Sequence, residues 1–511
     1  MTETFYITTP IYYVNGAPHI GHAYTSIAAD VLARWMRMEG REVYFLTGTD
    51  EHGQKVAQAA AAAGQDPQSF VDGLAAEFRD MSAKMNISND DFIRTTEERH
   101  KQGCAALWKI LADKDEIYLG HYEGWYALRD EAFYGEDEVT TRPDGTKISP
   151  FGSPVEWVKE PNYLFRMSAW GDRLLAFYEA NPEFLGPSST RSEIISFVKG
   201  GMTDLSVSRA SLTWGVPVPG DPEQVMYVWL DALANYITAL GYPDESAPLW
   251  RFWPANVHFV GKDIARFHTV IWPAFLMAAG IPVPKRVYAN GWWTVEGEKM
   301  SKSVGNVIDP RDLVKEFGLD VVRFFLLREM PFGNDGDFNR RALIGRMNSE
   351  LANDLGNLAQ RSLSLIARNC DAKLPERGPA TEDDTEILSQ AMALPGIMQP
   401  KLLRQIYGDA LEDAWKVIRA ANAYIDRQAP WVLRKTDTVR MAAVLRVLAD
   451  ALRPIATVLL PFMPGAMGAM LDQLGVPADA RDFAALATPL PGGITLPPPQ
   501  GIFPRYTGDA A

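Results

Sequence analysis

Cysteine is scarce in this chain of 511 residues. Its two cysteines, Cys104 and Cys370, can form at most one disulfide, so a disulfide-built scaffold is excluded. Neither cysteine belongs to a Cys-x-x-Cys pair, which excludes a zinc site built from cysteines. Such low use of cysteine fits a reducing compartment, and we expect the protein to be cytoplasmic.

Positive charge is also in deficit, because 50 Lys and Arg residues stand against 64 Asp and Glu residues, for a net charge of −14. This balance excludes a generally cationic nucleic-acid binder and leaves only a local basic face for such a partner. The first Lys or Arg is Arg34, so we expect no secretory signal. The uncharged run 454–471 approaches the length of a membrane span, but Pro454, Pro461 and Pro464 interrupt it. We therefore predict buried helices with a proline break there, and no membrane partner.

The N-terminal segment predicts a parallel sheet. Residues 5–14 are rich in β-branched and aromatic residues, which is typical of a buried strand. Apolar residues then recur every three or four positions from Ile20 to Met38, which predicts a helix that Gly40 ends. A second strand is predicted at 43–46. A strand, a helix and a strand in this order form a βαβ unit, and such sheets bind ligands at the carboxyl ends of their strands.

The remaining chain divides by composition, and its length predicts about two to four domains. Residues 54–112 are predicted to be helical, the next hundred or so contain short β-like pieces and Pro/Gly turns, and a helical pattern dominates from about 340 onward. We therefore divide the chain into five parts, 1–115, 116–225, 226–290, 291–345 and 346–511.

Two histidines mark the turn that leads into the first predicted helix. His19 and His22 in Pro18-His19-Ile20-Gly21-His22 are three positions apart and share one face of the first helical turn. A helix N-terminus adds unpaired N–H groups and a partial positive charge. Gly21 has no side chain, so a flat base can approach the backbone. The turn is a candidate site for triphosphate oxygens, with capping of the helix as the alternative role of both histidines.

A second candidate for phosphate binding is Lys299-Met300-Ser301-Lys302-Ser303. Its glycine-containing flanks predict a mobile loop, and two ammonium groups three positions apart can close on a pyrophosphate. Their charge is worth most where the transition state is most anionic. Taken alone, such a segment is more often a solvated surface loop.

The two motifs together are far more specific than either one. His-Ile-Gly-His followed much later by Lys-Met-Ser-Lys-Ser is the double motif of class I aminoacyl-tRNA synthetases, and this sequence resembles that family between about residues 5 and 435. Four further segments resemble its methionine-specific members: TGTDEHG at 47–53, WLDAL at 229–233, GKDI at 261–264 with Phe267-His268, and QAPW at 428–431.

The resemblance implies a fold and a reaction. The fold is a Rossmann-like α/β catalytic domain with a doubly wound parallel sheet, a connective insertion at 116–225, a loop and stem-contact region at 291–345, and a C-terminal α-helical domain that binds the anticodon. The reaction activates L-methionine with ATP to methionyl-AMP, releases pyrophosphate and transfers methionine to the 3′-terminal adenosine of initiator and elongator tRNA. Mg²⁺ is expected with ATP. No protein nucleophile is needed, because the substrate carboxylate attacks.

The resemblance also implies site residues. The groups that act on the phosphates are His19, His22, Lys299 and Lys302. The nucleotide is bound by Gly21, Gly261, Asp263 and Lys302, with helix capping as the alternative role of Asp263. Asp50 takes the methionine ammonium, and the slot for the thioether is formed by Ile11, Tyr13, Trp229, Leu233, Tyr236 and His268, with Phe267 packing beside it. The spacing of 229, 233 and 236 places them on one helix face, although core packing is the commoner role of such a pattern.

Asn357, Arg361 and Trp431 are implied to read the anticodon, with Trp431 under the cytosine. Asn357 and Arg361 are four positions apart and share a helix face. Both can bind base edges, and Trp431 can stack on a base. The alternatives are a surface ion pair for Arg361 and a packing role for Trp431.

The insertion departs from the family pattern. Many relatives carry zinc knuckles with paired cysteines there, whereas the stretch 125–134 has none, and Ala127 and Asp130 align with the missing ligands. We predict no zinc and no other bound metal, and expect packing of aromatic residues in this stretch to replace it: Trp125, Tyr126, Phe133 and Tyr134.

Two other functions fit parts of the sequence. A shorter nucleotidyltransferase such as a cytidylyltransferase also carries the histidine motif, but it leaves the helical C-terminal part unexplained. A non-catalytic tRNA-binding paralogue is expected to have lost the motif histidines or lysines, and all four are present. The insertion is too short for a hydrolytic editing domain. Relatives that dimerise do so through an appended oligonucleotide-binding barrel, so we expect a monomer.

Overall fold

The computed structural model describes residues 3–14, 16–130, 132–210, 212–295, 297–300 and 306–508. The strands are β1 (Thr4–Thr8), β2 (Tyr12–Tyr13), β3 (Glu42–Asp50), β4 (Asp91–Arg94), β5 (Ile117–Ala127), β6 (Ala132–Tyr134), β7 (Thr140–Thr141), β8 (Lys147–Ile148), β9 (Glu156–Phe165), β10 (Leu185–Gly186), β11 (Leu205–Ser206), β12 (Ser208–Arg209), β13 (Pro217–Val218), β14 (Asp221–Met226), β15 (Val257–Gly261), β16 (Val287–Asn290), β17 (Trp293–Val295), β18 (Glu298–Lys299) and β19 (Gly336–Phe338).

Helices connect these strands and then form the C-terminal part. They are α1 (Ile20–Met38), α2 (Gln54–Ala62), α3 (Pro67–Lys84), α4 (Glu98–Asp113), α5 (Gly171–Ala180), α6 (Ser188–Lys199), α7 (Val228–Thr238), α8 (Trp272–Ala279), α9 (Pro310–Phe317), α10 (Leu319–Arg328), α11 (Arg340–Arg346), α12 (Asn357–Asn369), α13 (Glu382–Leu403), α14 (Tyr407–Gln428), α15 (Pro430–Thr436), α16 (Thr438–Leu459) and α17 (Pro464–Gln473). Two π-helical segments, Phe267–Ile271 and Met347–Gly356, precede α8 and α12.

A seven-stranded parallel sheet forms the centre of the catalytic part. Its order is β10-β16-β15-β1-β3-β2, with β4 also paired to β3. Alternate residues of β1 face opposite layers: Ile7 packs with α1, whereas Tyr6 packs with α4, α7 and α8. Helices therefore cover both faces, as the predicted doubly wound α/β fold requires, and β1 is apolar on both sides for that reason.

The predicted βαβ unit is confirmed, with one strand divided. Residues 5–14 form β1 and β2 with a break between them at Pro10, whose missing N–H cannot continue a strand. Helix α1 begins at Ile20 and is followed by Gly40, which has the positive φ of +81° that favours glycine. The prediction that 54–112 is wholly helical is wrong at β4. That strand has four residues and is held by its pairing with β3 rather than by a local pattern.

The inserted part is built on a long antiparallel pair. β5 pairs with β9 from Ile117↔Phe165 to Tyr126↔Glu156, and β6 and β11 complete a four-stranded sheet. At its far end lies the segment 127–155, here called the knuckle, which contains the small β7–β8 pair. β10 from the same part of the sequence joins the edge of the central sheet.

The C-terminal helices form an apolar core around α16, which is buried along most of its length. The uncharged run is buried as predicted, but α16 continues through Pro454. The break falls at residues 460–463 instead, and Pro464 opens α17. Packing on several sides retains α16 although Pro454 removes one helical hydrogen bond. None of the helices in the described ranges combines the length and the apolar character that crossing a bilayer requires.

A buried ion pair joins the two halves of the molecule. Arg323 of α10 donates to Asp30 of α1 at 2.6 Å, and both side chains are wholly buried. The same guanidinium donates to the carbonyls of Met85 at 2.9 Å, Phe462 at 2.9 Å and Pro461 at 2.8 Å. One side chain therefore ties α1 and the end of α3 to the turn between α16 and α17.

Candidate active site

A cavity of about 410 Å³ opens at the carboxyl edge of the parallel sheet. The last residues of four strands line it: Tyr13 of β2, Asp50 of β3, Gly261 of β15 and Asn290 of β16. Parallel strands present their carboxyl ends at one edge, which is where ligands bind in sheets of this kind. The cavity therefore lies where the βαβ unit predicts a ligand site.

The two motif histidines lie at the mouth of α1 and cap it. His19 Nδ1 accepts from the N–H of Gly21 at 3.1 Å, and His22 Nδ1 accepts from the N–H of His19 at 3.1 Å. The capping role is therefore real, but it engages one nitrogen of each ring. An imidazole that accepts at Nδ1 carries its proton at Nε2 when neutral, so each ring keeps an Nε2–H donor.

Positive charge on His22 is disfavoured. Burial lowers the pKa of His22 well below its ordinary value, and His19, with its ring centre 3.8 Å away, lowers it further. Both rings line the cavity, as does Gly21 between them. A Cβ at Gly21 would lie 3.0 Å from His19 Cε1, so a side chain there would press on the ring. The turn offers neutral N–H donors to an anionic ligand.

Two described residues, one within the lysine motif and one after it, connect this segment with the same turn. Met300 lines the cavity together with His19 and His22. On the far side of the motif, the carbonyl of Ile308 accepts from the N–H of Ile20 at 3.0 Å. Met300 therefore shares a cavity with the histidine turn, and the chain at Ile308 is hydrogen-bonded to that turn. Lys302 and the side chain of Lys299 lie outside the described residues.

The predicted methionine residues line the same cavity. Asp50 is buried at the end of β3, next to Tyr13 in the β2–β3 pair. Helix α7 presents Trp229, Leu233 and Tyr236 to the cavity, as their spacing predicts. Ile11 and His268 complete the lining. A carboxylate beside a mainly apolar wall suits a ligand with an ammonium group and an apolar side chain.

Hydrogen bonding fixes the protonation of His268. Its Nδ1 donates to the carbonyl of Ile264 at 2.9 Å, and its Nε2 accepts from the hydroxyl of Tyr236 at 2.7 Å. Burial lowers the pKa of His268 to about 4, although the bond to Ile264 opposes that shift. Trp229 stacks on Phe267, with ring centres 3.8 Å apart. The apolar wall is therefore uncharged at neutral pH and is made of the core's own aromatic side chains.

The predicted ribose residues lie at the end of β15. Gly261 and Asp263 both line the cavity, and Asp263 accepts from Trp292 Nε1 at 3.2 Å. Trp292 also stacks beneath the ammonium of Lys262, whose Nζ lies 4.1 Å from the ring centre. The indole of Trp292 therefore holds Asp263 at the edge of the cavity, and the sequence analysis did not identify this tryptophan.

Sequence reasoning missed the residues that the knuckle contributes. Arg129, Asp130, Tyr134 and Phe151 line the cavity, and Lys55 donates to the carbonyl of Arg129 at 3.0 Å. Their partners are far away in the sequence, so no local pattern marks them. Asn290 was detectable, because it directly follows the strand-like sequence of residues 287–289 and ends β16 at the carboxyl edge of the sheet.

The three predicted anticodon residues lie together on the helical part, away from the cavity. Asn357 is exposed at the start of α12, and Trp431 is 36% exposed in α15. Arg361 lies over the Trp431 ring, 5.1 Å from its centre, and pairs with Asp426 at 2.6 Å. The ion pair named as the alternative for Arg361 is thus present. The guanidinium of Arg361 thus lies over one face of the Trp431 ring at the surface.

Comparisons with known proteins match the whole chain. A family profile described as "tRNA synthetases class I (M)" matches residues 5–363, and one described as "Anticodon binding domain of methionyl tRNA ligase" matches 384–511. The methionine–tRNA ligase of Brucella suis is 54% identical over 505 residues, covering 99% of this chain and 98% of its own. That of Rickettsia bellii is 54% identical over 511 residues, covering 99% and 100%. The structure of Mycobacterium tuberculosis methionyl-tRNA synthetase in complex with methionyl-adenylate is similar at a TM-score of 0.97 and 48% identity, covering 99% and 100%.

Proposed function

The chain belongs to the methionyl-tRNA synthetase family of class I aminoacyl-tRNA synthetases, and from this membership and the cavity we propose the residue roles given below. It is a methionine–tRNA ligase, which activates methionine with ATP and transfers it to tRNA. Matches over nearly the full length exclude the shorter cytidylyltransferase and the non-catalytic paralogue. The observation that carries the residue roles is one cavity lined by the histidine motif, Met300 of the lysine motif and the methionine slot.

In the methionine site, the Asp50 carboxylate binds the substrate ammonium while Trp229, Leu233 and Tyr236 enclose the thioether. Sulfur–aromatic contacts contribute about 0.3–1.5 kcal/mol each. The Tyr236–His268 bond satisfies the Tyr236 hydroxyl and His268 Nε2 with each other, so these two groups do not compete for water inside the slot. Ile11 and Tyr13 close the side nearest Asp50.

In the activation step, a methionine carboxylate oxygen attacks the α-phosphorus of ATP, and the bond to the β-phosphate oxygen breaks to release pyrophosphate. The Nε2–H groups of His19 and His22 donate to the phosphate oxygens, and Lys299 and Lys302 supply positive charge to the departing pyrophosphate. Gly261 and Asp263 hold the ribose. Mg²⁺ comes with ATP as part of the substrate, because phosphate and water oxygens are its preferred ligands.

In the transfer step, a hydroxyl of the terminal adenosine of tRNA attacks the methionyl carbonyl and AMP leaves. We assign anticodon recognition to Asn357, Arg361 and Trp431, in both initiator and elongator tRNA. The Arg361–Trp431 contact orients the ring so that a base can stack on its open face. Because Lys and Arg contacts to tRNA phosphates release bound counterions, tRNA affinity is expected to fall steeply with salt.

Replacing Trp431 with alanine is expected to slow tRNA charging without slowing methionine activation. Loss of one base stack should lower kcat/KM for tRNA charging by about 5- to 150-fold, since such a stack is worth about 1–3 kcal/mol. ATP–pyrophosphate exchange should be nearly unchanged, because Trp431 does not line the cavity. Both rates are to be measured on the same preparation.

Two matched variants check this interpretation. Trp431→Phe keeps an aromatic face and should retain most charging, whereas Val432→Ala removes a neighbouring apolar side chain that is 52% exposed and should change neither rate. Equal losses of charging and exchange in Trp431→Ala would contradict a separate anticodon site.

The knuckle does not fit zinc. Ala127 is wholly buried in a small apolar cluster and has no ligand atom. Asp130 accepts hydrogen bonds from Ser149 and Ser153, one on each carboxylate oxygen, and from the Tyr134 hydroxyl at 3.1 Å. We propose that this polar cluster closes the knuckle in place of a metal. Trp125 and Trp157 add edge-to-face packing at 5.1 Å, whereas the Phe133 side chain lies outside the described residues.

Asp130→Ala should open the knuckle. Two serines and a tyrosine would lose their acceptor, which costs about 1–3 kcal/mol for a partly buried group. Faster hydrogen exchange confined to 127–155 is the expected readout. Asp144→Ala, in the exposed turn of the same knuckle, should not change it. Zinc present at one equivalent, with the same loss of protection on chelation, would refute the polar cluster as the closing element.

The remaining assignments rest on the family and on the fold. We propose the five-part division at 115, 225, 290 and 345, with the anticodon domain from 346 to 511. We also propose a monomer that works in the cytoplasm, where the tRNA substrates are used in translation.

A further inference from the structure

A buried polar network lies behind the methionine slot. It consists of His52, His100, Cys104 and Asp231, and each of them is at most 2% exposed. Asp231 Oδ2 accepts from His52 Nδ1 at 2.6 Å, and Oδ1 accepts from His100 Nε2 at 2.7 Å. Cys104 Sγ lies 3.2 Å from His100 Nε2. None of the four lines the cavity, and the proposed reaction steps use none of them.

The network joins three elements at the back of the site. Asp231 belongs to α7, on the face opposite Trp229 and Leu233. His52 follows Asp50 by two residues, in the loop that leaves β3. His100 belongs to α4. The carboxylate of Asp231 thus connects the loop that carries the ammonium ligand to the helix that carries the apolar wall.

Helix α4, which carries His100, packs closely against α7. A Cβ on Gly103 would lie 2.3 Å from Cγ2 of Thr238, so α4 and α7 approach each other as closely as a glycine permits. Thr238 Oγ1 also bonds His100 Nδ1 at 2.9 Å. His100 is therefore held on both nitrogens, and it holds Asp231 in turn.

The distances between the polar atoms of this network are those of hydrogen bonds and not those of ligands around a metal ion. His100 Nε2, Cys104 Sγ and Asp231 Oδ1 are chemically able to bind a metal. However, two ligands of one tetrahedral zinc ion lie about 3.4 Å apart, given zinc–ligand distances of about 2.1 Å. The Nε2–Oδ1 distance is 2.7 Å. Burial alone would raise the pKa of Asp231, but His52 and His100 hold it well below its usual range, so the carboxylate is ionised and both imidazoles donate to it.

We propose that Asp231 is a positioning residue for methionine binding: by holding His52 on one oxygen and His100 on the other, it fixes the loop of Asp50 relative to α7, whose opposite face lines the slot. The inference rests on the proposed roles of Asp50 and α7 in the methionine site. An ammonium ligand and an apolar wall bind one substrate well only when their spacing is constant. None of the four network residues is among those proposed to bind ATP.

The decisive experiment compares two substitutions of His52. Leucine fills the volume but removes the donor, whereas asparagine places an N–H₂ group where Nδ1 stood and can still donate to Asp231. In ATP–pyrophosphate exchange, His52→Leu should raise KM for methionine by about tenfold or more with little change in KM for ATP, because the lost interaction acts on one substrate. His52→Asn should restore KM for methionine to within about threefold of the parent value.

A second variant guards against loss of folding. Asp231→Asn keeps the volume but turns one acceptor into a donor that faces an imidazole N–H, so the same rise in KM for methionine is expected. The matched control is Asp384→Asn. Asp384 is a buried carboxylate bound by Arg440 and Tyr424 in the helical part. This control should lower the melting temperature, and it should not raise KM for methionine relative to KM for ATP.

Three results would overturn the proposal. They are parallel changes in KM for methionine and ATP, equal effects of His52→Leu and His52→Asn, and one equivalent of zinc that His100→Gln releases. Asp50→Asn distinguishes the proposal from its premise. If Asp50→Asn leaves KM for methionine unchanged, the proposed ammonium site itself is wrong. If Asp50→Asn raises it and neither His52→Leu nor Asp231→Asn does, the positioning role alone is wrong.

Discussion

Asp50→Asn should weaken methionine binding by about 30- to 5,000-fold, because removing one partner of a buried charge pair costs about 2–5 kcal/mol. The carboxylate lies at the end of β3, is 6% exposed and faces a wall of aromatic side chains, so little water can replace it. Asparagine keeps the shape and removes the charge. The loss should appear in KM for methionine and much less in KM for ATP, as measured by ATP–pyrophosphate exchange with each substrate varied in turn.

Asp72→Asn is the matched control for this prediction. Asp72 pairs at 2.5 Å with Arg94, which also holds Glu51 beside Asp50, but the Asp72 side chain is 52% exposed. Exposed ion pairs contribute about 0–1 kcal/mol, so this variant should keep both KM values. A folded Asp50→Asn protein with unchanged methionine affinity would remove Asp50 from the site and leave the ammonium without an assigned carboxylate.

At His19 and His22, the observed capping role is compatible with the proposed binding of phosphate. Both rings cap α1 through Nδ1, which any capping residue could do. An imidazole, unlike serine or aspartate, has a second nitrogen, and engaging Nδ1 as acceptor leaves the proton on Nε2. The capping bonds thereby select the tautomer that the proposed donation to phosphate requires.

Local pattern and strand order made much of the fold and of the cavity predictable. The βαβ unit follows from periodicity over the first fifty residues, and parallel strands then bring Tyr13, Asp50, Gly261 and Asn290 to one edge. The convergence of α7 residues on the cavity follows from their spacing. The residue assignments within the cavity came from the family motifs, which no periodicity supplies.

Interactions between distant segments could not be predicted. The bond between Asp263 and Trp292 and the approach of Arg129 to the cavity depend on how the insertion packs on the catalytic sheet. The bond between His52 and Asp231 spans 179 positions. Pro454 is another case in which distant contacts decide the structure. Proline disfavours the interior of a helix, but α16 continues through Pro454 because it is buried on several sides.

Arg323→Met should destabilise the protein by about 3–5 kcal/mol, because it leaves Asp30 without one of its two arginines inside the core and takes donors from three carbonyls. Arg34 and Ser88 still bind Asp30, so the carboxylate stays ionised and buried. The first readout is the urea concentration at the midpoint of unfolding. Hydrogen exchange then reports separately on the catalytic and the helical parts. Exchange should rise at α1, α10 and the turn 460–463 together.

A double substitution tests whether the charge or the linkage causes this loss. Arg323→Met with Asp30→Leu removes both buried charges, and such replacements are often neutral when the packing is good. Here recovery should be partial, since the carbonyls of Met85, Pro461 and Phe462 stay without the guanidinium. Arg377→Met removes a comparable ion pair, with Asp450, from a position 53% exposed and should shift the midpoint little. If the double variant regains full stability, the pair acts only as a compensated charge, and Arg323 is not the link that joins α1 to the helical part.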